Sequence, residues 1–234
     1  MTRFRIATYN VHKSRGLDLK VSPYRVLNVL QDIGADVVAL QETFEDQAKF
    51  IAAHLGMELT FGCARQLQTR QYGNAVLTRG SILGSRCLDL SVKKREPRGC
   101  VRVDVQIAED LMLHIFAVHL GTSYFERRHQ AGKLISPDVL DAADAKGLRI
   151  LVGDFNEWTR GAVTRALSEH LRSADLATHL GRRRSYPGLA PFLHLDHMYY
   201  DSPLHLRCLR LHRTAVSLVA SDHLPLVGDF EVTH

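Results

Sequence analysis

The sequence predicts an α/β fold with mixed or antiparallel sheets covered by helices. Strand-length apolar runs alternate with helix-period segments along the whole chain. Consecutive runs such as Val101 to Ile107 and Leu113 to His119, joined through Ala108-Glu109-Asp110, read as hairpins and argue against a purely parallel sheet. No linker, low-complexity tract or repeat divides the 234 residues, so one domain over residues 1–234 is the economical reading.

The elements follow in order. Phe4 to Tyr9 alternates as a strand and runs into Asn10. Pro23 to Ile33 reads as a helix, with Ser22 at the N-cap and Pro23 at the first helical position, where its missing N–H costs nothing. Val37 to Leu40 is a strand and Thr43 to Leu55 a helix. Ala75 to Thr78, Val101 to Ile107 and Leu113 to His119 are strands bounded by turn residues. A helix is expected over Phe125 to Lys146, a strand over Ile150 to Val152 and a further helix over Thr159 to Leu171. His197 to Tyr200 and Leu226 to Val232 complete the strands.

Composition narrows the class. Apolar residues make up 45% and charged residues 24%, and no window approaches the roughly 18 uninterrupted apolar residues of a membrane-spanning helix. The first ten residues enter a strand pattern without a secretory-type apolar stretch, so a cytoplasmic protein is expected. Cys63, Cys87, Cys100 and Cys208 are far apart, with no C-x-x-C pair. Free, mostly buried thiols are expected rather than a zinc knuckle or a disulfide framework. A net charge of +5 favours an anionic partner: nucleic acid, an acidic lipid surface or a phosphorylated metabolite. The run Arg182-Arg183-Arg184 reads as a solvated loop, and nothing calls for an obligate protein partner.

Polar residues recur where apolar strands end. Asn10 follows Tyr9, Gln41-Glu42 follows Leu40, and Tyr72-Gly73-Asn74 precedes Ala75. His119 ends Phe116-Ala117-Val118, Asp154-Phe155-Asn156 follows Gly153, and Asp196 and Asp222-His223 come later. Any one alone is explained as a turn residue, a first-turn charge or a satisfied histidine. Together, carboxylates, amides and imidazoles are the groups that hold a hard cation, orient a phosphate and move protons, and loops on a rigid sheet are their usual carriers.

The series TYN, LQE, YGNA, VHL, GDFN, LDH and SDHLP, in that order over nearly all of the chain, resembles the endonuclease/exonuclease/phosphatase superfamily. GDFN and SDHLP are its most specific pieces. The resemblance implies a four-layer α/β sandwich: two packed, mixed and mostly antiparallel sheets flanked by helices, with the site at one edge. It implies Glu42 as the principal ligand of Mg²⁺ or Mn²⁺, with Asn10 beside it and Asp222 close by. Asp154 and Asn156 would orient the attacking water and hold the phosphorus, and His223, held by Asp196, would be a second catalytic group. His119 matches the histidine of the deoxyribonuclease, sphingomyelinase and inositol phosphatase branches. Asn74 and Arg98 would face the substrate phosphate. His12, His194 and His197 lie near motifs but off the matched positions and are read as packing or solvent-facing; position 194 is often arginine in the family.

Three functions follow from this reading. The first is a metal-dependent phosphodiesterase acting on a small molecule or lipid headgroup, the second a nuclease on DNA or RNA, and the third a non-catalytic phosphate-binding module. The third is disfavoured because every matched position holds a chemically competent residue. A repair endonuclease is disfavoured because the chain lacks long basic or aromatic loops that would grip a duplex.

Overall fold

The computed structural model describes residues 1–145, 147–158, 161–174, 185–187 and 193–232. The run Arg182-Arg183-Arg184 lies outside them. One sheet holds β1 (Thr2–Asn10), β2 (Val37–Phe44), β3 (Glu58–Leu67), β4 (Arg70–Thr78), β11 (His205–Leu211) and β12 (Leu226–Val232), in the order β11-β12-β1-β2-β4-β3. The other holds β5 (Ser81–Asp89), β6 (Gly99–Ala108), β7 (Leu111–His119), β8 (Leu148–Asp154), β9 (Arg172–Ser173) and β10 (Asp196–Tyr200), in the order β5-β6-β7-β8-β10-β9. Each sheet has one parallel pair at its centre, β1 with β2 and β7 with β8, and is otherwise antiparallel.

Three apolar layers hold the sandwich together. Between the sheets, Ile6, Val37 and Val76 meet Val103, Ile115 and Val152, all fully buried. On the outer face of the first sheet, Val38 and Leu40 are covered by α1 (Pro23–Ile33) and α2 (Glu45–Leu55) through Leu30, Ile33 and Ile51. On the outer face of the second, Phe116 and Leu151 are covered by α3 (Tyr124–Leu134) and α4 (Ala162–Ser168) through Leu134, Val163 and Leu167. Each such side chain contributes about 1.5–3 kcal/mol when fully buried. The predicted four-layer α/β sandwich is the observed fold.

Several boundaries differ from expectation for local reasons. The helix begun at Tyr124 stops at Leu134 rather than running to Lys146, because Pro137 disfavours helical backbone at Ser136. Thr43 and Phe44 are not helical: they prolong β2, pairing with Gly73 and Tyr72 after a register shift, and α2 begins at Glu45. Of the predicted helix Thr159 to Leu171, Thr159 and Arg160 lie outside the described residues and α4 covers Ala162–Ser168; Glu157 accepts from Val163 N and Thr164 N at 3.2 and 2.9 Å and anchors its start. Ser22 occupies the N-cap of α1, but its side chain makes no capping hydrogen bond. The thiols are not mostly buried: Cys100 is, whereas Cys63, Cys87 and Cys208 are exposed. Among the described residues, no helix is long and apolar enough to cross a membrane.

Candidate active site

The two central parallel pairs bring four strand ends to one edge of the sandwich. Register sets Asn10 beside Gln41 at the ends of β1 and β2, and His119 beside Asp154 at the ends of β7 and β8. The sheets meet there through polar side chains. Asn10 Nδ2 donates to Asp154 Oδ2 at 2.9 Å across the sandwich and lies 3.3 Å from Glu42 Oε1.

Local irregularities aim the side chains. The register shift in β2 leaves Glu42 at φ 55°, a bulge conformation that turns the carboxylate toward Asn10. Beyond Asn10 the chain makes a short left-handed turn, with φ of 44°, 61° and 57° at His12, Lys13 and Ser14. Such backbone costs roughly 1–2 kcal/mol per non-glycine residue. It lets His12 N donate to Asn10 Oδ1 at 3.1 Å, which fixes the amide. Gly153, at φ 149°, admits the Val118 carbonyl where a Cβ would collide with it. Asn156, at φ 50°, donates its backbone N–H to Asp154 Oδ1 at 2.9 Å and its side-chain amide to Leu120 O at 3.0 Å.

Histidines flank Asp154 on both sides. His223 Nδ1 is 2.9 Å from the fully buried Asp196 Oδ2, and its Nε2 is 3.7 Å from Asp154 Oδ2. Burial works against a charged His223 ring, but Asp196 and Asp154 outweigh it and push its pKa up. Burial pushes Asp154 up as well, only partly offset by His223 and by the hydrogen bonds from Asn10 and Asn156. On the other side, His119 Nε2 lies 3.8 Å from Asp154 Oδ2, 3.9 Å from Glu42 Oε1 and 3.3 Å from Asn156 Nδ2. Burial and the neighbouring Arg98 guanidinium bring His119 down to about 3, so its ring is neutral near pH 7.

Glu42 is held ionised. Burial alone would raise it, but His119 and the hydrogen bonds of Asn10 and Tyr72 bring it down to about 2. Because His119 is neutral near pH 7, the amide and phenol bonds hold the carboxylate charged there.

Of the residues expected at the site, Asn10, Glu42, His119, Asp154, Asn156, Asp196 and His223 form one connected cluster. Arg98 joins it, with Nη1 3.1 Å from His119 Nδ1. Asp222 stands at the margin, its Oδ1 3.6 Å from His12 Nδ1, and Asn74 turns its amide to Gly99 O at 3.1 Å. His12, its side chain 35% exposed, faces solvent as expected while also approaching Asp222. His197 packs away from the cluster: it is half-buried against Phe155, with Nε2 2.7 Å from Glu157 O, and His194 lies against its ring. Tyr72, which bonds Glu42, and Tyr186, whose ring lies 4.8 Å from that of His223, were not singled out from sequence. Tyr72 stood inside the YGNA motif, whereas no motif marked Tyr186.

Known proteins share this fold and part of this sequence. Over 219 residues the chain is 26% identical to YbhP of Escherichia coli K12, covering 84% of each. A solved structure from Enterococcus faecalis V583 superposes with a TM-score of 0.82 at 18% identity, covering 98% of this chain and all of that one. The catalytic domain of human nocturnin superposes with a TM-score of 0.78 at 21% identity, covering 99% of this chain and 95% of that one. The family model for the Endonuclease/Exonuclease/phosphatase family matches residues 7–223, a span that takes in every strand end contributing to the cluster. The chain belongs to that family, whose members are hydrolases acting on phosphate esters.

Proposed function

We propose that the chain is a divalent-metal-dependent phosphodiesterase that cleaves a small-molecule or lipid-headgroup ester by in-line attack of water. The observation that carries this reading is the environment of Asp154. It is a buried carboxylate with raised proton affinity, held by Asn10 and the Asn156 backbone and flanked by two imidazoles of opposite character. A general base works best when its pKa approaches the working pH, and burial moves Asp154 that way.

Asp154 takes the proton of the attacking water as the new P–O bond forms and the ester P–O bond opposite it breaks, the departing alcohol oxygen taking a proton from solvent. His223, kept protonated by Asp196, offers its Nε2 proton to a phosphoryl oxygen. His119, kept neutral beside Arg98, braces a second oxygen by a hydrogen bond, together with the Asn156 amide. Arg98 adds fixed positive charge, and Asn74 stays close to it through Gly99.

The residues present fit a hard cation. Glu42 is ionised, its side chain is 22% exposed, and it stands beside Asn10, whose oxygen keeps a lone pair free after accepting from His12. Glu42 and Asn10, with Asp222 toward the margin, would hold Mg²⁺ or Mn²⁺. When bound, the ion stabilises charge on the leaving oxygen. Asp154, Asp196 and His223 also bring ligand atoms within 4.8 Å of one another. There the ring is hydrogen-bonded to Asp196 and favoured in its protonated form, and a protonated imidazole does not bind metal.

The test is hydrolysis of bis-p-nitrophenyl phosphate with Mg²⁺ or Mn²⁺ and with chelator, in the natural chain and in Glu42→Gln. Metal-dependent turnover that is lost in the variant is expected. Turnover that persists in chelator, or in Glu42→Gln, would overturn the reading.

A further inference from the structure

The chain leaves its apolar surface around the catalytic edge. Among the described residues, the large apolar side chains that stay exposed, apart from Met1, Leu83 and Met112, all lie on segments entering or leaving the catalytic strand ends. On one flank, Leu17, Leu19 and Val21 occupy the loop between the left-handed turn and α1, with Tyr24 in the first turn of that helix. Leu17 N donates to Val219 O at 3.2 Å, tying the loop to α5 (Ser217–Ala220), where Val216 and Val219 extend the patch just before Asp222 and His223. On the other flank, Tyr124 and Phe125 open α3 shortly after His119, and Trp158 follows Asn156 by two residues. Leu19 and Phe125 are 68% and 77% exposed. The three exceptions stand toward the starts of β1, β5 and β7, at the opposite end of the sandwich.

Scattered exposed apolar residues are ordinary, but their concentration at one end marks an interaction surface. Cations are set among them: Lys13, Arg15 and Lys20 on the first flank, Arg128 and Lys133 on α3, whereas Arg127 is buried and bonds Gly121 O and Thr122 O. The acidic residues in those two stretches are Asp18, which is paired with Arg25 at 2.8 Å, and Glu126, which is buried. An apolar rim in a cationic collar matches the interfacial layer of a bilayer, where side chains enter the acyl boundary and cations meet anionic headgroups. The aliphatic members decide against single-stranded nucleic acid, because base stacking needs aromatic faces that Leu17, Leu19, Val21, Val216 and Val219 lack.

We propose that this rim docks the chain on an anionic phospholipid bilayer, catalytic edge toward the membrane, so that a headgroup phosphate reaches Asp154 in place. The choice of substrate rests on the phosphodiesterase reading above; the docking does not. Trp158 is the chain's single tryptophan, so its emission reports the rim directly. With vesicles of phosphatidylcholine and phosphatidylglycerol, its emission should shift to the blue and the full-length chain should co-sediment, less so with phosphatidylcholine alone or at high salt. Leu19→Ser and Phe125→Ser should each weaken vesicle binding roughly tenfold and leave hydrolysis of soluble bis-p-nitrophenyl phosphate unchanged. Diester hydrolysis without any vesicle binding would overturn the docking alone, as would quenching of Trp158 by a single-stranded oligonucleotide but not by vesicles. Vesicle binding without diester hydrolysis would uphold the docking and overturn the phosphodiesterase reading.

Discussion

Asn10 and Asp154 share a buried hydrogen bond of 2.9 Å that crosses from the end of β1 in one sheet to the end of β8 in the other. The same amide lies 3.3 Å from Glu42, so one side chain links the expected metal-holding carboxylate to the expected base. Asn10→Ala should leave Asp154 short of a partner, lowering stability by about 1–3 kcal/mol and turnover by more than tenfold. Urea unfolding and diester hydrolysis on the same preparation check both effects.

Asp154→Asn should separate catalysis from stability. Turnover should fall by roughly 10² to 10⁴ as the base is lost. The melting temperature should hold or rise, because the substitution removes a carboxylate whose charged form is disfavoured by burial and by Asp196. A variant that melts earlier and keeps its turnover would contradict both assignments.

Acid should destabilise the metal-free protein through His119 and Glu42. His119 binds a proton near 6.5 when unfolded but only near about 3 when folded, so between these values the unfolded chain holds more protons and stability falls as pH falls. Glu42, with its pKa lowered from 4.5 to about 2, acts with the same sign at lower pH. Asp154, raised to about 6, acts with the opposite sign between about pH 6 and pH 4, so the His119 contribution is read as a difference: in chelator, the urea midpoint of His119→Asn relative to the natural chain should climb from about pH 7 down to about pH 4.

Arg98→Met should raise the His119 pKa, since the guanidinium beside the ring helps to keep it neutral. An NMR titration of the histidine ring protons reads this directly. No change in the His119 resonance would remove Arg98 from the site.

Glu42→Gln should abolish any thermal stabilisation by Mg²⁺ or Mn²⁺, because an amide replaces the ionised ligand. A melting temperature that still climbs with added metal would point to Asp154, Asp196 and His223 instead.

Buried central strands were legible in the sequence because both their faces are apolar, as in Val37 to Leu40 and Phe116 to Val118. The strands that went unread, β3, β5, β9 and β11, are the four sheet edges. Edge strands expose one side and carry polar residues, as the burial of Ser81–Asp89 illustrates, so their apolar signal is weak and only pairing with a neighbour defines them. The chemical identity of the site was likewise written locally, in the polar residues that end each strand. Which of them touch was decided by tertiary structure alone. The parallel centres of the two sheets put Asn10 against Asp154, a bulge turned Glu42 inward, and a left-handed turn brought His12 to Asp222. None of these contacts is local in sequence, so no spacing could announce them; packing the two sheets face to face creates them.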